Sequence, residues 1–405
     1  MGATHSDHSE LIIHDIYDVN VRLGYGRMSA VTDDKMLIKP ITKCKSVYNK
    51  SHFIPPFSGI WSIDRTIGES PKARMNHFTI TSSIQTPGVS SSSSHAGKDE
   101  KVDYAYIGCG IDKDGNLLND LWKFDLKSYE WEKILTHGDS FSNRRGVSAT
   151  LFLDYIVVFG GYNGKDYLND IFTINIQNGY IQAIKTTGDT PDPRCNAFLA
   201  IHNMKLFVWG GHSDDNKKPT DLSILDLNTK EWTRKNLNIG GRTMIPLVQV
   251  NNFIFSYGGS KMESMIRIDL DNEKSELLQG RGSPPLADVV GASMIKVDDC
   301  LFYFGGQNKS NWTLMYAYCI KRNWWFVFFI RPDGETVTYK DGKFNKISLF
   351  LIPRLHSFSM TYSPYKREIV GFLGYPFHDP KSIFKVNVTE ALSFCHLRDD
   401  MLQLF

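Results

Sequence analysis

Five arginines stand at comparable places in this chain. Arg74, Arg145, Arg194, Arg242 and Arg354 each close a polar turn just ahead of an alternating apolar segment, as in "GDTPDPR" ending at Arg194. Guanidinium groups converging on one mouth would grip carboxylates or phosphates through paired N–H donors. The plainer alternative is that each arginine ties its own turn to nearby carbonyls. A second set of residues follows apolar strands: Tyr162, Asn163, Lys165 and Tyr167; His212, Asp214 and Asp215; Gln307, Asn308 and Trp312; Tyr375, His378 and Asp379. Aromatics beside adaptable polar groups are the usual material of protein-binding surfaces, although most of these residues taken singly read as solvated loop positions.

Catalytic patterns are missing from the sequence. There is no HExxH, no GxSxG, no Walker loop and no GxGxxG opening a helix. The six cysteines (Cys44, Cys109, Cys195, Cys300, Cys319 and Cys395) are scattered without a CxxC, so neither zinc nor a disulfide framework is signalled. A reducing, cytoplasmic compartment is the expectation. His5, His8 and His14 read as a solvated tail, and no metal or cofactor is expected. Forty-six Lys plus Arg against forty-four Asp plus Glu leave a charge of +2, too balanced to advertise nucleic acid or an acidic membrane.

No secretory signal opens the sequence, and the longest apolar burst, "WWFVFFI", is too short to span a bilayer as a helix. Gly2 in "MGATHS" fits the N-myristoylation pattern. With Asp7, His8 and Glu10 around it and no basic patch, a single acyl chain there would give only weak membrane association.

The elements that must position these residues repeat. Glycine doublets end apolar strands at Gly161, Gly211, Gly259 and Gly306, with a degenerate copy at Gly110, giving spacings of 51, 50, 48 and 47 residues. After the doublet come "NDLWKFDLKSYEWEKI", "NDIFTINIQNGYIQAI" and "TDLSILDLNTKEWTRK". Period-two alternation on both sides of a polar turn makes each a hairpin, with Trp131, Tyr180 and Trp232 read as equivalent outer aromatics. Two strands before and including the doublet complete a four-stranded antiparallel unit, which is a propeller blade.

Doublet, outer aromatic and a period near fifty resemble the kelch repeat over roughly residues 54–388. Blade four departs from the pattern, with Glu276 and Leu277 near the aromatic's place, and blade five offers Trp324 and Trp325. The fold class expected is all-β, a kelch-type β-propeller of six four-stranded blades, the N-terminal Trp61 strand closing the last blade. Seven blades is the alternative, with "VRLGYGRM" as a decayed doublet strand. Residues 1–53 form an extension that is partly disordered or wraps the ring, and 389–405 a tail that reads equally as strand or short amphipathic helix. A Ser-rich loop at 85–101 is expected to be disordered, and 331–350 to carry an inserted hairpin at Asp341-Gly342.

The resemblance implies a non-catalytic, monomeric scaffold or adaptor. It would bind another protein through the face that gathers the two-to-three and four-to-one loops, an acidic segment or free carboxylate suiting the arginines. Some kelch-like propellers are copper oxidases, but the twelve histidines lack the required ligand spacing, and neither the iron signature of specifier proteins nor sialidase Asp boxes are present. The alternative function is a propeller enzyme acting on a small acidic molecule at the channel mouth.

Overall fold

The computed structural model describes residues 59–83, 103–214, 217–259, 264–282, 284–307, 312–328, 330–333, 336 and 352–396, and a short antiparallel pair, Met28–Ala30 with Ile38–Pro40. Alternating apolar runs become six antiparallel sheets arranged as blades. Blade one comprises Phe78–Ser83, Asp103–Gly108, Leu121–Asp125 and Trp131–Ile134. Blade two comprises Ser148–Phe152, Tyr155–Tyr162, Tyr167–Asn175 and Tyr180–Ala183, and blade three Cys195–His202, Lys205–His212, Asp221–Asp226 and Glu231–Asn236. Blade four follows with Leu247–Val250, Phe253–Ser256, Met265–Asp269 and Lys274–Leu278, and blade five with Val290–Val297, Cys300–Gln307, Met315–Cys319 and Trp324–Phe328. Blade six takes Ser359–Ser363, Glu368–Phe372 and Ser382–Asn387 from the far end of the chain and Ile60–Arg65 from the near end.

That last pairing closes the ring. Ile60–Arg65 runs antiparallel to Ser382–Asn387 over six residue pairs, with Trp61 opposite Val386 and only 1% exposed. The expected Trp61 closure is therefore present, and the blades number six rather than seven.

The outer hairpins of blades one to four turn on one side chain placed at a fixed point of the repeat. Asp125, Asn175, Asp226 and Asp269 each accept two backbone N–H groups from the turn through Oδ1. This local bond satisfies donors that the hairpin cannot pair, which is why Asp or Asn stands there.

The glycine doublets join one blade to the next. The N–H of Gly110, Gly161, Gly211, Gly259, Gly306 and Gly374 donates to the carbonyl of Arg144, Arg194, Arg242, Val289, Leu355 and Arg74 respectively. Each acceptor belongs to the following blade, and Gly374 to Arg74 carries the chain of bonds from blade six back to blade one. The backbones approach so closely that a Cβ on Gly210, at φ +68, would lie 2.5 Å from the Arg242 oxygen. Only glycine tolerates both the conformation and the contact.

The outer strands are stitched as well. The linker leaving one blade lays a short parallel segment on the outer strand of the next: Gly138 beside Ile181, Gly188 beside Trp232, Gly282 beside Trp325 and Pro332 beside Trp61. Ile67 bridges Glu130 in the same way. These pairings correct the aromatic register: the position of Trp131 and Trp232 is occupied in blade two by buried Ile181, not by half-exposed Tyr180. In blade four it falls on Ser275, opposite Ile268, and no stitch covers that strand among the described residues. The preceding linker instead turns inward and buries Leu237 and Ile239.

Thr389–Cys395 is a short helix, buried through Ala391, Leu392 and Cys395, which decides between the two readings of the tail. The loop at 85–101, the Asp341-Gly342 turn, Gly2 and "VRLGYGRM" up to residue 27 lie outside the described residues. Of the inserted segment, Arg331–Pro332 forms the stitch on blade six. Trp61→Ala should cost about 3–5 kcal/mol of stability in urea unfolding, because it empties a fully buried site in the strand that closes the ring.

Candidate functional site

The face that gathers the two-to-three and four-to-one loops is assembled by short antiparallel contacts at the ends of the strands. Arg145 pairs with Tyr162, Cys195 with His212, Val290 with Gln307 and His356 with Tyr375, while Met75 pairs with Ile111. Immediately after each first partner comes a residue in the left-handed region: Asn76, Gly146, Asn196, Gly291 and Ser357, with Met244 in blade four. Their backbones bond across blades, Gly146 to Asn76, Asn196 to Gly146, Gly291 to Met244 and Ser357 to Gly291. The mouth is thus rimmed by backbone, and of the side chains just ahead of this rim Met75, Arg145, Thr243, Val290 and His356 are partly exposed while Cys195 is buried.

The arginines divide into two groups. Arg74 and Arg194 are 0% exposed and point inward, which corrects the expectation that they stand free to take a partner's carboxylate. Arg74 grips Asp120 with both terminal nitrogens, at 2.5 and 2.8 Å, and donates to the Cys109 carbonyl of its own doublet strand. Burial raises the Asp120 pKa, but the bonds and charge of Arg74 outweigh this and hold it below the usual carboxylate value. Arg194 lies 3.9 Å from Asp221 and donates to Gly210.

In blade two the same brace is made by Arg144, which reaches Asp170 at 2.7 Å and the Gly160 carbonyl. Arg145 is one residue further on and is released to the face. Arg242 reaches the carbonyls of Gly240 and Gly241, and Arg354 those of Gly305 and Gly306. Sequence reasoning missed Arg144, Asp120, Asp170 and Asp221 as a set. The signal was present in the regular offset of 26 or 27 residues from Arg144 to Asp170 and from Arg194 to Asp221.

Around Arg145 a continuous row of side chains runs from blade two into blade three. Its guanidinium lies 5.2 Å from the Tyr162 ring centre, Tyr162 lies 5.0 Å from Tyr167, and Tyr167 lies edge-on to His212 at 5.7 Å. His212 is held from both sides, with Nδ1 2.8 Å from the Thr243 hydroxyl and Nε2 3.2 Å from Cys195 Sγ. Burial, then the charges of Arg145 and Lys218, lower the His212 pKa, while burial pushes the Cys195 thiol up to about 12. The pair is a neutral thiol beside a neutral imidazole, without the thiolate that nucleophilic cysteines use.

The other expected residues have unequal places. Asn163 shapes the loop by accepting the N–H groups of Lys165 and Asp166, and Lys165 and Asp214 are exposed. Across the ring, in blade six, His356 stacks near Tyr375 at 5.0 Å and Tyr375 meets Phe377 at 5.4 Å, Tyr375 being 44% exposed. His378 lies beside the Pro376 carbonyl. Trp312 pairs with Pro353 in a two-residue strand next to blade five, and its side chain is outside the description.

Six blades, inter-blade glycines and buried Arg–Asp braces agree with what comparison finds. The KLHDC2/KLHL20/DRC7 Kelch-repeats domain model matches residues 43–259 and 94–306. The chain belongs to the kelch-repeat family. Among similar proteins, the leucine-zipper-like transcriptional regulator 1 homolog of Drosophila melanogaster is 24% identical over 251 residues, 56% of this chain and 25% of that protein. Human Kelch domain-containing protein 10 is 30% identical over 135 residues, 33% of this chain and 30% of its own length. Acyl-CoA-binding domain-containing protein 5 of Arabidopsis thaliana is 33% identical over 127 residues, 31% of this chain and 19% of that protein. The matched kelch segment spans less than a third of each relative's length. Among the described residues no helix is long and apolar enough to cross a membrane, and no three or more His, Cys, Asp or Glu side chains are grouped to hold a metal.

Two measurements follow from this geometry. Asp120→Ala strands a buried guanidinium and should cost about 3–5 kcal/mol in urea unfolding, whereas Arg145→Ala should change stability by less than about 1 kcal/mol. The second concerns His77, at the seam between blades one and six, where its Nε2 meets the Ser359 hydroxyl in a very short contact. Burial, assisted by the Arg74 charge, lowers its pKa from 6.5 to about 3. The folded state therefore binds that proton more weakly than the unfolded chain does, so stability is fully present above about pH 6.5 and declines as pH falls toward 3. His77→Gln should flatten the fall in melting temperature between pH 7 and 4, measured by circular dichroism.

Proposed function

We propose that this propeller is a non-catalytic interaction module that binds a partner protein across the loop face, through an extended segment carrying a carboxylate. The kelch fold is consistent with protein–protein interaction. The observation that supports the finer reading is the row Arg145–Tyr162–Tyr167–His212, a released guanidinium at the end of a partly exposed aromatic run. Arginine and tyrosine at the rim of a cleft are the residue types that dominate binding energy at interfaces. Since blade three faces blade six in a six-membered ring, the His356–Tyr375–Phe377 group offers a second apolar anchor on the far side of the mouth.

The carboxylate would seat at Arg145, and Lys218, whose charge reaches His212, adds to the positive field there. Arg74 and Arg194 take no part, because their charge is directed at Asp120 and Asp221. The neutral Cys195–His212 pair and the backbone-rimmed mouth favour binding over turnover. Affinity purification from cells with wild type and with the Arg145→Ala, Tyr167→Ala double variant tests this. Specific partners should be recovered with wild type and fall at least roughly tenfold with the variant, given about 1–2 kcal/mol for each anchor. Equal recovery of every partner by a variant that melts like wild type would overturn the reading.

A further inference from the structure

Three cysteines far apart in sequence meet at one place in the fold. Cys300 and Cys319 are directly opposite each other on neighbouring strands of blade five. Cys395, the last residue of the helix Thr389–Cys395, completes the group, and all three sulfur-bearing side chains sit in one buried cluster with Val388, Ala391 and Leu392. Cys300 is within hydrogen-bonding reach of both Cys319 and Cys395. The thiols are free, and among the described residues no group of this kind is arranged to hold a metal ion.

The helix above them is poorly secured. Seven residues are too few to be helical without support. Its N-cap is Val388, which gives no side-chain bond, the only side-chain cap among the described residues being Asn387 Oδ1, which accepts the Thr389 N–H at 3.1 Å, and its last turn has no basic residue. It is held by the burial of Val388, Ala391, Leu392 and Cys395, by the Asn387 bond and by Arg322 donating to the Cys395 carbonyl at 3.0 Å, which are few ties for a segment at the edge of the ring. Such an element opens locally at a lower cost than global unfolding, and each opening exposes Cys395 and the two strand cysteines together.

We propose that Cys395 and one of the blade-five cysteines, Cys300 or Cys319, form a disulfide under a peroxide oxidant, clamping the helix to the propeller. When the helix is open, the Cys395 thiolate attacks a peroxide oxygen, the O–O bond breaks, and hydroxide takes up the thiol's proton and leaves as water. The resulting sulfenic acid is then attacked at sulfur by the second thiol. The S–S bond forms, the S–O bond breaks and a second water departs, so that two thiols and one hydrogen peroxide give one disulfide and two waters.

The docked state resists this reaction. Cys300's contact with Cys319 favours ionisation, but its bond to Cys395 and burial outweigh that and push its pKa up. The bond to Cys300 and then burial do the same for Cys319. Oxidation is therefore gated by release of the helix and is slow compared with that of exposed thiolates.

The test is treatment of the full chain with hydrogen peroxide, followed by non-reducing peptide mapping and thermal melting. A Cys395–Cys300 or Cys395–Cys319 link is expected, lost on adding dithiothreitol, with the melting midpoint raised by roughly 3 °C or more because the new bond closes a long loop. Cys395→Ser, whose fold is verified by its melt in the reduced state, should show neither the link nor the rise. A Cys300–Cys319 bond alone, sulfinic acid at Cys395 without a link, or three unmodified thiols would each overturn the proposal.

Discussion

The ring depends on one backbone hydrogen bond made six times. The second glycine of each doublet donates to a carbonyl at the start of the next blade's inner strand, and the series runs from Gly110 through Gly374 and back to Arg74. At three of these points the arginine has two functions. The carbonyl of Arg74, Arg144 or Arg194 receives the previous blade, while its side chain holds the doublet strand of its own blade and an aspartate. A guanidinium buried there cannot be released without loosening two blades, so these positions are closed to ligand chemistry by the architecture itself.

What the architecture leaves free lies one residue further along. The brace fixes the arginine, and the left-handed residue that rims the mouth fixes the position two beyond it, so only the intervening side chain can vary without cost to the ring. That position holds Met75, Arg145 and Cys195 after the three braces, and Thr243, Val290 and His356 at the matching places after Arg242, Val289 and Leu355. The sequence Arg144-Arg145 places one arginine in each role, and the second reaches the face only because the first satisfies Asp170. Variation at the mouth and constancy behind it are thus consequences of the same local geometry.

The fold was legible because its signals are periodic. Doublets spaced by about fifty residues, the alternating hairpins and the orphan strand around Trp61 gave six blades and their closure, since each reflects a backbone requirement that few residues can meet. The site was legible only in part. Tyr162, Tyr167 and His212 follow doublets, and strand pairing gathers them at the two-to-three loop ends, but the arginines were assigned by type and spacing alone, which cannot separate a brace from a binding group. Asp120, Asp170 and Asp221 stand second in the three hairpin segments that follow the doublets, yet their pairing with arginines in another part of the same blade is a tertiary contact. The register error at Tyr180 has a similar origin. An aromatic one residue before the core position looks equivalent in sequence, whereas strand pairing gives the buried place to Ile181.

Blade four shows what happens when the coupled signals fail together. Ser275 replaces the outer aromatic, the linker from blade three has Ile239 where Gly138 and Gly188 stand in the linkers before it, and the stitch is absent among the described residues. The two losses fall at one place: elsewhere Gly138, Gly188, Gly282 or Pro332 lies beside a buried Ile181, Trp232, Trp325 or Trp61, whereas in blade four a small polar Ser275 stands at that position. The compensation is inward. Leu237 and Ile239 join Ile245, Ile254 and Ile266 in the core between blades three and four. Burial of a linker's own side chains there replaces the hydrogen bonds made elsewhere at the rim, and the doublet bond from Gly211 to Arg242 still ties blade three to blade four. The ring thus tolerates loss of its outer seam in one blade because the inner seam, made by glycine and carbonyl alone, does not depend on which side chains surround it.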